Sequence, residues 1–143
     1  MIRKYEEKDR ENILKIWIEN IKICHDFIDE SYWESAFDII KDRYLMVADT
    51  YVYEVKGVIR GFVSVISDDA IWGIFVDQKY QRQGIGSKLI RHIQNIYDIL
   101  SISIYKKNEG VIWFCKNQDF KFEHSQRDVN TGEEEMLFLW REK

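Results

Sequence analysis

Proline is missing altogether from this chain of 143 residues, and it has only two cysteines, Cys24 and Cys115. The two share neither a C-x-x-C spacing nor a nearby pair of histidines. That excludes a disulfide scaffold and a structural zinc site, and it leads us to expect a reducing, cytoplasmic setting with no metal. No apolar run approaches the roughly 18 residues that a membrane helix needs. Met1 and Ile2 are followed by charged residues, without the apolar stretch of a signal peptide, so no membrane partner is expected. The net charge of −4 lacks the clustered Lys and Arg that nucleic-acid backbones demand, so no nucleic-acid partner is expected either. Repeats, low-complexity segments and linkers are absent as well. What the chain does have is apolar and aromatic mass, 45% and 15% of its residues, enough for one buried core. We read residues 1–143 as a single domain, a monomer or homodimer.

The apolar spacing sets out the elements. "MIRKYE" reads as a short strand, and "DRENILKIWIENI" puts Ile13, Ile16, Trp17 and Ile21 at helical spacing with Asp9 as N-cap. In "SYWESAFDIIKDRY", Ser31 and Glu34 suggest a capping box ahead of a stripe of Trp33, Ala36, Phe37 and Ile40. "TYVYEVKGVIRGFVSVIS" reads as a hairpin turning at Lys56-Gly57. "AIWGIFV", after a turn at Asp68-Asp69, is apolar on both faces and so reads as a central strand. Ile85, Leu89, Ile90, Ile93 and Ile96 form a helical stripe, and Leu100, Ile102 and Ile104 alternate along a strand. A helix from about Asn108 to Gln118 and a final hairpin around Asn130-Thr131-Gly132 complete the chain. The order β-α-α-β-β-β-α-β-α-β-β predicts an α/β domain, a mixed sheet covered by helices.

One stretch carries chemistry. In "FVDQKYQRQGIGSKLI", Gly84 and Gly86 stand between a strand and an amphipathic helix. A Walker loop fails here, because Gln81 stands where its first glycine belongs and Ser87-Lys88 are in the wrong order. A dinucleotide fingerprint fails because Leu89 occupies the place of its third glycine. The pattern [QR]-x-x-G-x-[GA] fits through Gln81, Gly84 and Gly86. Such a turn aims backbone N–H groups into one concavity at a helix N-terminus, which favours a pyrophosphate. A plain glycine turn is the alternative.

With the helix, strand and "KNEGVIWFCKNQDF" that follow, this stretch resembles the GCN5-related N-acetyltransferase (GNAT) family over essentially the whole chain. "HDFIDESYW" adds a likeness to a bacterial branch that includes protein-lysine acetyltransferases. The resemblance implies the GNAT fold, a mixed central sheet of about seven strands flanked by about four helices. It also implies acetyl-CoA as co-substrate and a primary amine, on a protein lysine or a small molecule, as acceptor. Ile74, Phe75 and Val76 would then pair with the pantetheine arm. Arg82, Gln83, Gly84, Ile85, Gly86 and Ser87 would offer amides to the pyrophosphate, with Gln81 opening the turn. Asn108 matches an asparagine that contacts the cofactor.

Two departures from the family matter. Cys115 stands where many members carry a tyrosine acid, and Ser103 where several carry a glutamate base. Cys115 is open to three readings: a thiol acid, a covalent nucleophile, or a helix residue facing the core. Tyr105 is the substitute proton donor, or else a strand-end tyrosine in solvent. His25, Asp26 and Trp72 are the acceptor-side candidates, with Asp29 and Glu30 as further charges near a cationic acceptor. Core packing is the alternative for Trp72, a loop histidine with no task for His25, and a solvated face for the acidic residues. These departures also leave open a second reading, an acyl-CoA-binding sensor or interaction domain without turnover.

Overall fold

The computed structural model describes residues 1–143, the side chain of Asp68 excepted. Strand β1 (Ile2–Lys4) leads to helix α1 (Arg10–Cys24) and then to α2 (Glu30–Ile39). The latter runs on through a π-helical turn at Ile40–Tyr44 into one last turn, α3 (Leu45–Val47). Strands β2 (Asp49–Val55), β3 (Val58–Ile66) and β4 (Ala70–Val76) form an antiparallel meander. Helix α4 (Ile85–Gln94) connects it to β5 (Ile99–Tyr105), and α5 (Glu109–Asn117) leads on to β6 (Lys121–Arg127) and β7 (Glu134–Arg141). The sheet order is β1-β2-β3-β4-β5-β7-β6, with β4 and β5 the one parallel pair. The expected element order and mixed sheet are therefore present. At the β2–β3 hairpin Lys56 and Gly57 have φ of 52° and 80°, the left-handed pair that a tight hairpin with the right twist requires.

Each face of the sheet has its own apolar cluster. Ile85, Leu89, Ile90 and Ile93 of α4 pack on Val63, Val65, Leu100, Ile104 and Phe138. Burying each of these side chains contributes about 1.5–3 kcal/mol, before the entropy of ordering them is subtracted. On the opposite face, Ile13, Ile16, Trp17 and Ile21 of α1 and Trp33 of α2 pack on Val52 and Phe62. Three local expectations change. Ile96 is half-exposed, because α4 ends at Gln94 and the chain turns away. Asp9 does not cap α1 through its side chain; its carboxylate takes both guanidinium NH groups of Arg3, at 2.8 and 2.9 Å, and the Glu6 amide. Helix α2 begins earlier than a Ser31 cap allows, because Asp29 accepts the Ser31 N–H at 2.9 Å and is itself the N-cap.

The feature that positions the site is a defect in the sheet. Strands β4 and β5 pair only at Ala70 with Ser101 and Ile71 with Ile102. Against β3, the register slips between Ser64 and Val65, leaving Trp72 as an extra residue in β4. Trp72 packs with the α1/α2 cluster, and a Cβ on Gly73 would meet the Phe75 and Phe62 rings on the same side, at 3.0 and 3.9 Å. Two successive residues thus face one side, which is a β-bulge, and β4 bends there. Beyond the bulge Gly73–Val76 are bonded to β3, while their other edge has no strand partner.

Candidate active site

At the end of β4 the chain enters a turn with two left-handed residues. Asp77 caps the short 3-10 turn at Gln78–Tyr80 by accepting the Lys79 N–H at 3.0 Å. Arg82 and Gly84 follow with φ of 65° and 80°, and left-handed residues so spaced rotate successive N–H groups toward one side. Gly84 is the N-cap of α4 and has no side chain to occupy the helix's first amides. Gln81 to Gly84 are exposed, whereas the Ile85 side chain is buried, so only its backbone can reach a ligand. Gly86 faces α5, where a Cβ would come to 3.3 Å from the Phe114 ring. The Ser87 hydroxyl accepts from Gln118 Nε2 at 3.0 Å, tying the first turn of α4 to the end of α5.

Side chains hold this turn in place. Gln81 Nε2 donates to the Val76 carbonyl at 2.9 Å and to Asn20 Oδ1 at 3.0 Å, and Gln78 Nε2 reaches the same Asn20 oxygen at 3.0 Å. Asn20 is buried in α1 and anchored to the Ile16 carbonyl at 2.8 Å. Gln81 is therefore a strut between loop, strand and helix. Sequence reasoning missed Asn20, although a signal existed: a polar residue on the buried stripe of Trp17 and Ile21 asks for a partner.

Beside the diverging ends of β4 and β5, a second group of residues gathers on the α1/α2 face. The Tyr105 ring lies 5.3 Å from His25, 5.8 Å from Phe27 and 6.4 Å from Trp33, all near perpendicular. Tyr32 packs edge-on against Trp33 at 4.8 Å. The Tyr105 hydroxyl donates to Asp128 Oδ2 at 2.6 Å, and burial and then that bond hold its pKa well above the ordinary phenol value. Tyr105 keeps its proton and is not a solvent-exposed strand end. His25, at the C-cap of α1, is buried, and burial pushes it down to about 4 against the weaker opposing pull of the Ile21 carbonyl. It is neutral at physiological pH, and in the Nδ1–H tautomer its Nε2 accepts from Asn108 Nδ2 at 3.1 Å. Among the described residues, Trp33 Nε1 is buried with no hydrogen-bond partner and His25 Nδ1 meets only the poorly aligned Ile21 carbonyl, a polar demand that a ligand or water can meet.

The remaining candidates separate. Ile74 and Val76 turn toward the α4/α5 cluster and Phe75 toward the α1/α2 cluster, as a strand end between two faces requires. Trp72 is engaged in packing: its Nε1–H donates to Ser64 Oγ at 2.7 Å and its ring rests against Tyr44 and Phe62. Asp26 is exposed, and Asp29 is committed to capping α2. Cys115 belongs to the other cluster, fully buried among Leu89, Ile90 and Phe120, and burial pushes its thiol up to about 12. The fold joins Tyr105, His25 and Asn108 and leaves Cys115 on the far side of the sheet from them. Asp128, Phe27, Tyr32 and Trp33 are the members that sequence reasoning did not single out. Asp128 had only a local signal, a turn-forming acid ahead of Asn130-Thr131-Gly132, which says nothing about Tyr105.

The arrangement can therefore hold an anion on amides at the start of α4, pair an extended ligand with the free edge of β4, and seat an apolar or cationic group among aromatic rings. No group of three or more His, Cys, Asp or Glu side chains able to hold a metal occurs among the described residues. Among the described residues no helix is long and apolar enough to cross a membrane.

Known proteins match this architecture. A family model described as an acetyltransferase (GNAT) domain matches residues 46–122. The peptidyl-lysine N-acetyltransferase YiaC of Escherichia coli is 33% identical over 120 residues, covering 84% of this chain and 82% of that protein. The solution structure of apo YjaB from Escherichia coli superposes with a TM-score of 0.84 at 21% identity, over 98% of this chain and 96% of that one. The PaiA N-acetyltransferase of Thermoplasma acidophilum, crystallised with coenzyme A, superposes with a TM-score of 0.82 at 17% identity, over 99% and 98%.

Proposed function

The chain belongs to the GNAT family of N-acetyltransferases, and from that premise we propose that its donor is acetyl-CoA and its acceptor the side-chain amine of a protein lysine. The observation that carries this reading is the break between β4 and β5. It leaves the edge of Gly73–Val76 free directly before the amide-lined turn at residues 82–87. A pantetheine amide is the ligand whose chemistry suits an unpaired strand edge, and a pyrophosphate suits the turn. The two are contiguous in the chain and contiguous in coenzyme A. The lysine acceptor draws support from YiaC, a peptidyl-lysine N-acetyltransferase, and from the aromatic walls around Tyr105.

Acetyl-CoA supplies an activated thioester carbonyl. Transfer is direct: the amine nitrogen bonds to that carbon as the carbon–sulfur bond breaks, the amine proton leaves to water, and the thiolate takes up a proton. Backbone N–H groups on the free β4 edge donate to the oxygen as it gains charge. Tyr105, neutral and held by Asp128 at the end of β5 beside the free β4 edge, orients the amine. Cys115 takes no part, because its buried thiol lies in the opposite cluster. The test is thiol release from acetyl-CoA with a panel of lysine peptides, read with mass spectrometry of the peptide. Acetylated lysine with stoichiometric thiol is the expected result. Thiol release only with small polyamines or aminoglycosides would replace the protein acceptor by a small one.

A further inference from the structure

The carboxylates at the β6–β7 hairpin are not equivalent. Glu133 pairs with Lys107 and Glu134 with Lys106, each at 3.1 Å. Asp128 has no cationic partner among the described residues. Instead its Oδ2 accepts the Tyr105 hydroxyl at 2.6 Å and its Oδ1 accepts the Asn130 amide at 2.9 Å. It is half-buried and joined to Tyr105, whose ring packs edge-on against Phe27 and Trp33, with Tyr32 against Trp33 in turn. We propose that Asp128 docks the ammonium of the acceptor lysine, so that with the aromatic walls it selects an extended alkylammonium; the inference rests on the lysine reading above.

Three observations point the same way. An uncompensated carboxylate beside aromatic faces is a site for a cation with an apolar stem: the rings attract the charge and cover the methylenes. The protein already makes such a contact at the rim, where the Lys107 ammonium stands 5.4 Å from the centre of the Phe27 ring while paired with Glu133. Asp128 is also reached only through the fold, since Tyr105 ends β5 beside its divergence from β4, where an acceptor must meet the thioester. Burial works to raise the Asp128 pKa, but bonds from Tyr105, Asn130 and Thr131 outweigh it and hold the carboxyl below its ordinary value. Asp128 is thus a docking anion and a poor proton acceptor, and the ammonium proton leaves to water.

Asp128→Asn tests this, because the amide oxygen can still accept the Asn130 N–H while the Tyr105 hydroxyl rotates to accept from the amide NH2, so the turn is kept and the charge is removed. Steady-state kinetics are measured with acetyl-CoA and either a lysine peptide or hydroxylamine, a nucleophile that is neutral at pH 8. The KM for the peptide rises about 10-fold, as expected for loss of a charge-assisted bond. The KM for acetyl-CoA stays near the parent value, kcat/KM for the peptide falls well beyond any fall in the rate with hydroxylamine, and Asp128→Glu restores part of the peptide affinity. A parent-like peptide KM in Asp128→Asn means that Asp128 only shapes the turn. A fall in kcat with loss of the acid limb of the pH profile means that it is the proton acceptor instead. Either result overturns the docking role while leaving lysine acetylation standing. If the parent acetylates hydroxylamine but no lysine peptide, the acceptor reading fails and this inference fails with it.

Discussion

The two groups of residues that the proposed function uses, one on each side of the diverging ends of β4 and β5, are made of different material. On one, the edge of β4 and the turn at residues 82–87 offer backbone groups, and side chains such as Gln81 and Asn20 serve to hold that backbone still. On the other, His25, Phe27, Trp33, Tyr105 and Asp128 come from four separate segments and present rings, a hydroxyl and a carboxylate. A backbone site recognises what every donor molecule shares, its amides and phosphates. A side-chain site can change its acceptor by changing one residue. The two sides should therefore fail separately when mutated.

The largest separation is expected from Gly86→Glu. Its Cβ would crowd Phe114 and its carboxylate would oppose the pyrophosphate, so acetyl-CoA affinity falls at least about 100-fold, measured by calorimetry, the loss of two or more charge-assisted bonds. A thermal melt checks that the variant is folded. Next comes Tyr105→Phe, which leaves acetyl-CoA affinity unchanged and lowers kcat/KM for a lysine peptide about 10-fold, at or below the usual range for a general acid. Equal damage to both affinities in either variant would erase the distinction between the sides.

A third effect concerns stability against pH. His25 is depressed from its ordinary 6.5 to about 4. The unfolded chain takes up this proton near pH 6.5 and the folded chain only near pH 4. The contribution is therefore complete above pH 6.5 and is lost progressively as pH falls toward 4. It amounts to about 3 kcal/mol at most, less wherever the folded state relaxes around the charged ring. Denaturant melts across that window should show a shallower loss in His25→Gln than in the parent. The smallest effect on turnover is expected from Cys115→Ser: a stability cost of about 1–3 kcal/mol from burying a hydroxyl, with kcat per folded molecule within about twofold of the parent.

The same contrast explains what could be read in advance. The turn at residues 82–87 was legible because Gly84 needs φ of 80° and because glycines between a strand and a helix have few other uses. The sheet and its helices were legible from apolar spacing, down to the central place of β4. The bulge at Trp72 was not, since it arises from register against β3, and neither was the early start of α2, which depends on Asp29 winning the Ser31 amide. The group around Tyr105 was read only piecemeal. His25 and Tyr105 could be suspected singly, but Asp128 joins them only when β7 pairs with β5 and carries the hairpin turn to the end of that strand.

The most direct measurement of the two-sided cleft is a titration of isotope-labelled protein with coenzyme A, followed through the backbone amide resonances. The largest shifts should fall on Ile74 to Val76 and on Gln83 to Ser87, while Asp128 and Phe27 move little until a lysine peptide is added. Shifts confined instead to the groove between α1 and α2, at Arg10, Leu14 and Phe37, with Gln83 to Ser87 silent, would contradict it.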